Sequence, residues 1–79
     1  MTRQELIDTE LYDATSYMLA YMAHKHMSIQ DMLALDARLQ LIDFLLYMSP
    51  AFHLQGDRAT LDEIDTFVTA GVPFPPTQT

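Results

Sequence analysis

The chain reads as an all-α protein: an antiparallel helical hairpin over about residues 3–26 and 29–48, a short third helix over about 61–70, and an extended Pro-rich C-terminal tail. Three observations predict this. Both glycines and all four prolines fall at or beyond position 50, which leaves the first 49 residues free of helix breakers. Apolar residues in that stretch recur in alternating steps of three and four, the period of a helix face. No segment shows the alternation of a strand.

Thr2 and Glu5 have the spacing of a capping box, and Glu5 and Asp8 suit the positive end of a helix dipole. Ile7, Leu11, Ala14, Met18, Tyr21 and Met22 then form one apolar arc, as a core-facing helix requires. The opposite side carries Tyr12, Leu19 and Ala23 beside the small residues Ser16 and Ala20, which let another helix approach closely.

Ser28 and Asp31 make a second capping box, flanked by Met27 and Met32 at the positions of a hydrophobic staple. From there to Met48 the chain is the most apolar helical stretch of the sequence. Met32, Leu35, Leu39, Ile42 and Leu46 form a stripe that matches the arc of the first helix. Leu41, Phe44, Leu45 and Met48 form a second stripe on another side, in the C-terminal half only, while Asp36, Gln40, Asp43 and Tyr47 hold the polar face. The first stripe is expected to pack on the first helix. The second is contested: either the third helix covers it all, or part of it is left for another chain.

Ser49-Pro50 is expected to end this helix, because proline disfavours helical geometry in the residue before it. Gly56-Asp57 signals a turn. Thr60 and Glu63 have capping-box spacing, Leu61, Ile64, Phe67 and Val68 share a face, and Gly71 is the stop. Val72 and Phe74 are placed to fold back on the core before the remaining residues lead outward. The expected organisation is a single helical domain over 1–72 and a tail over 73–79.

With 49% hydrophobic and 19% charged residues the chain is globular rather than disordered. Eleven acidic against four basic residues give a net charge of −7, which disfavours contact with nucleic acid or an anionic membrane surface. The uncharged run over 14–24 is too short to span a bilayer. The first residues do not combine a positive segment with an apolar run, so no signal peptide is expected. There are no cysteines, and small secreted domains usually rely on disulfides, so the cytoplasm is the expected location.

Catalytic parts are scarce. Ser28 and Ser49 have the positions of helix caps, His53 stands alone, and no glycine-rich loop could cradle a phosphate. No enzyme activity and no cofactor are expected. His24 and His26 with Met18, Met22, Met27 and Met32 are a copper-type donor set. Residues two apart on a helix point about 200° apart, however, and a cationic last turn accounts for the histidines without a metal. Acidic side chains at Glu5, Asp8, Glu10, Asp13, Asp62, Glu63 and Asp65 suggest, as an alternative, a nucleic-acid mimic that blocks a DNA- or RNA-binding protein.

What remains is an apolar surplus on a small helical body. The expectation is a protein-interaction module, a regulator, inhibitor or adaptor, that homodimerises or binds another protein through Leu41, Phe44, Leu45 and Met48, joined by Phe52, Tyr12 and Leu19.

Overall fold

The computed structural model describes residues 3–75, with side chains from residue 12 onward. The Thr2–Glu5 capping box, the Ile7 and Leu11 part of the first arc, and residues 76–79 of the tail lie outside what is described. The described chain is all-helical: α1 (Arg3–Lys25), α2 (Ile29–Leu39), α3 (Leu41–Phe52) and α4 (Asp57–Ala70).

α1 ends where its cationic last turn places it. His26 takes a left-handed conformation at φ 55°. The amide of Met27 then reaches back to the carbonyl of Met22 at 2.9 Å, and that of His26 to Ala23 at 3.4 Å. These are the two bonds of a Schellman motif, so orphan carbonyls of the last turn are satisfied. α2 opens with the expected capping box: Asp31 N donates to Ser28 Oγ at 3.0 Å, and Ser28 N donates to Asp31 Oδ2 at 3.1 Å.

The uninterrupted helix expected over 29–48 is instead two helices. The break is at Gln40, which is left-handed at φ 56° and ψ 50°. Such a conformation costs an L-residue about 1–2 kcal/mol, and three hydrogen bonds offset it. Gln40 N donates to the Asp36 carbonyl at 2.7 Å, closing α2. Ile42 N donates to Asp36 Oδ1 at 2.9 Å, so the Asp36 side chain caps α3 across the break. The Leu39 carbonyl, left without a helical partner, accepts from Phe74 N at 3.0 Å.

The break changes which stripe is core. A straight helix would have put Leu41 and Leu45 on a side away from Met32, Leu35 and Leu39. With the chain redirected at Gln40, α3 instead turns Leu41, Leu45 and Phe52 fully inward, and Ile42 and Leu46 are only half-buried. α3 touches all three other helices, and α1 packs chiefly on α3. The central element is therefore the second half of the expected long helix, not the whole of it.

Pro50 does not end the helix at 48, because α3 continues to Phe52. Pro50 is exposed in the last turns, where a lost backbone bond faces water, and full burial of a phenylalanine returns about 1.5–3 kcal/mol. α4 also begins earlier than expected. Gly56, extended at φ −72° and ψ 164°, precedes it, and Asp57 lies in the first turn. Thr60 is thus not a cap: it is buried inside the helix and accepts from Gln55 Nε2 at 3.4 Å. The expected apolar face of α4 is present, with Ile64 fully buried and Leu61, Phe67 and Val68 packed around the core. Gly71 stops the helix at φ 71°, its amide reaching the Phe67 carbonyl at 3.3 Å.

Two polar ties lock the outer helices. Tyr21 Oη donates to Asp65 Oδ1 at 2.9 Å, and Lys25 Nζ lies 3.0 Å from the same oxygen, joining α1 to α4. His53, just beyond α3, pairs through Nε2 with Asp13 of α1.

Candidate functional site

The expected surface residues divide into three groups. Leu41, Leu45 and Phe52 are enclosed in the core at 0–1% exposure, so they present no surface to a partner in this conformation. Phe44 and Met48 are half-buried along one side of α3. Tyr12 and Leu19 are exposed on α1, at 73% and 52%, apart from that side.

Phe44 and Met48 open onto a cleft of about 510 Å³ between α3, α4 and the segment after Gly71. Its walls are Phe44, Tyr47 and Met48 from α3, Phe67 and Ala70 from α4, and Val72, Phe74 and Pro75 beyond. None of these carries a formal charge. Phe44 and Phe67 stack at 4.0 Å between centroids and 5° between planes, which sets the floor. Phe74 meets Phe44 edge-on at 6.0 Å and leans on Tyr47 at 5.3 Å. These separations lie within or close to the 4.5–7 Å range in which aromatic pairs attract beyond their buried area.

Of the eight lining residues, only Phe44 and Met48 belong to the surface expected from sequence; Tyr47, Phe67, Ala70, Val72, Phe74 and Pro75 do not. Tyr47 falls on the polar face of a straight helix with Asp36, Gln40 and Asp43, but it is 70% exposed beside Phe74 once the chain breaks at Gln40. Phe67 was assigned to the core face of α4, and no sequence signal shows that its outer edge would stay open. Phe74, placed by the sequence to fold back, donates its amide to the Leu39 carbonyl, whereas Val72 stays 52% exposed.

A smaller hollow of about 260 Å³ lies between α1 and α4, lined by Ser16, Tyr17, Ala20, Asp57, Thr60 and Leu61. The small residues Ser16 and Ala20 thus face another helix, as their size suggested. Burial raises the Tyr17 phenol above its ordinary range, and the carboxylates of Asp13 and Asp57 push it further. The Tyr21 phenol is raised more strongly, first by burial and then by its hydrogen bond to Asp65. Asp65 is held below the usual carboxylate range, chiefly by Lys25 and next by Tyr21. Asp65 is therefore already committed within the fold, which thins the acidic set that mimicry of a nucleic acid would use.

His24 is exposed in the last turn of α1, and His26 is the residue that terminates it. Among the described residues, no three His, Cys, Asp or Glu side chains come together in a way that could hold a metal ion. No described helix is long and apolar enough to cross a membrane. Comparisons with protein-family models, with curated proteins and with solved structures find no match.

Proposed function

We propose that the protein is a small acidic interaction module, a regulator, inhibitor or adaptor, that binds another protein through the apolar cleft between α3, α4 and the segment after Gly71. One observation carries this reading: a cleft of about 510 Å³ with eight lining residues, none of them charged, on a chain whose net charge is −7. Pockets of about 300–1,000 Å³ lined by apolar and aromatic side chains are the usual form of a binding site. Tyr47 stands at its mouth at 70% exposure, and tyrosine is among the residue types in which interfaces concentrate their energy. A second copy of the chain is a partner of the same kind.

A photoreactive residue in place of Tyr47 tests the proposal in cells of the source organism. The expected result is a discrete cross-linked species that is lost when Ala70→Asp, at an exposed wall of the cleft on α4, is added. Equal cross-linking from Gln30, exposed on α2 and outside the cleft, would refute a specific surface. Light scattering on the purified chain separates a homodimer from a complex with another protein.

A further inference from the structure

From the way the chain's own C-terminal segment is seated, we infer that the Phe44 and Tyr47 side of the cleft, with the Leu39 carbonyl, recognises a short, uncharged segment that bends at an aromatic residue between prolines. Val72–Pro75 is then a built-in competitor that a partner segment of the same chemistry displaces. This rests on the binding reading above and names what the cleft takes.

The recognition elements are visible in the contact made within the chain. Phe74 is the one residue of the segment with both a backbone and a side-chain anchor. Its amide donates to the Leu39 carbonyl at 3.0 Å, and its ring packs against Phe44 and Tyr47. That carbonyl is free to accept only because α2 stops at Gln40, so the helix break supplies the polar half of the site. Pro73 and Pro75 flank Phe74 and are themselves exposed. Each proline fixes its own φ, which lowers the entropy lost when the segment docks. An aromatic anchor, one amide and proline flanks describe a short ligand, and no charge is required.

Seating is also incomplete. Phe74 is only half-buried, Val72 is 52% exposed, and the cleft remains open beside them. Gly71 joins the segment to α4 in a left-handed conformation that glycine adopts without strain, so the join itself does not force the segment down. A ligand in solution competes with a tethered segment whose effective concentration is in the millimolar range for so short a link. If the segment is docked about nine-tenths of the time, the apparent affinity for a free peptide falls about tenfold.

The test uses the full chain and a synthetic peptide copying residues 71–79, titrated by NMR into the natural sequence and into Phe74→Ala. The expected result is binding to Phe74→Ala at least tenfold tighter than to the natural chain, with no binding of the same peptide carrying alanine in place of its phenylalanine. Equal affinities, or no binding to a folded Phe74→Ala chain at several millimolar peptide, would overturn the inference even if the Tyr47 cross-link is found. A second readout needs no variant. At several millimolar peptide, hydrogen exchange at the Phe74 amide of the natural chain should accelerate as its bond to Leu39 is surrendered, and unchanged protection would equally overturn the proposal.

Discussion

Replacing Gln40 with glycine should stabilise this protein. Gln40 sits at φ 56° and ψ 50°, where an L-residue bears about 1–2 kcal/mol of steric cost that glycine escapes. Against this, glycine adds about 0.4–1 kcal/mol of unfolded-state entropy. With both terms at mid-range the net gain is about 0.8 kcal/mol. At about 2.1 cal/mol/K per residue, 79 residues give an unfolding entropy near 0.17 kcal/mol/K, so the midpoint should rise by about 3–6 °C. Urea denaturation and thermal unfolding followed by circular dichroism measure both quantities. The sign is what decides. In a continuous helix over 29–48, Gln40→Gly would place glycine mid-helix and cost close to 1 kcal/mol. A lowered midpoint would therefore refute the break and, with it, the assignment of Leu41 and Leu45 to the core.

Asp36→Ala probes the same junction from its other side and should destabilise by about 1 kcal/mol, since it removes the acceptor for Ile42 N; in an unbroken helix the alanine would instead stabilise slightly. Leu45→Ala, at a fully enclosed site, should cost about 2–5 kcal/mol, whereas Tyr47→Ala should stay within about 0.5 kcal/mol; equal effects in urea denaturation would reverse the division between core and cleft. The Tyr21–Asp65–Lys25 tie should make stability fall in acid. Lys25 and Tyr21 depress the folded-state pKa of Asp65, so its contribution is complete above the unfolded value of ~3.9 and is lost as pH falls through the folded value. The stability gap between the natural chain and Asp65→Asn should be constant from neutral pH to about pH 5 and close towards pH 2. A gap that stays flat to pH 2 would show that the tie contributes nothing through ionisation.

Helical content was legible because it is written in local terms. The box at Ser28–Asp31, the cationic end of α1, the face of α4 around Ile64 and the stop at Gly71 each depend on residues within a few positions of one another. The break at Gln40 was not legible, for a physical reason. Its determinants are an Asp36 side chain reaching six residues ahead and a Phe74 amide arriving from far along the chain, and neither leaves a mark such as glycine or proline. A trace was nevertheless present: two apolar stripes on different sides of one helix, the second confined to one half. A straight helix needs two neighbours to satisfy that pattern, whereas a redirected one brings both stripes to a single core. Misreading the break also misplaced the candidate surface. The break carries Leu41 and Leu45 into the core and sets Tyr47 beside Phe74, while Phe44 and Met48 stay half-buried on one side of α3.

The hydrogen bond from Phe74 to Leu39 has a consequence for how the native state opens. Closing it requires ordering the 34 residues between two distant positions, so it is lost early in any partial unfolding and regained late. α2 depends on that bond at one end and packs mainly on α3, with Ile29 and Leu33 left about 60% exposed. It is therefore the helix held most sparsely by the others, and its opening leaves α1, α3 and α4 packed together. In native-state hydrogen exchange the amides of α2 should report a subglobal free energy, with the core amides around Leu45 and Ile64 marking the global one. Whatever occupies the Leu39 carbonyl, the chain's own segment or a partner's, would then set how tightly the second helix is held shut.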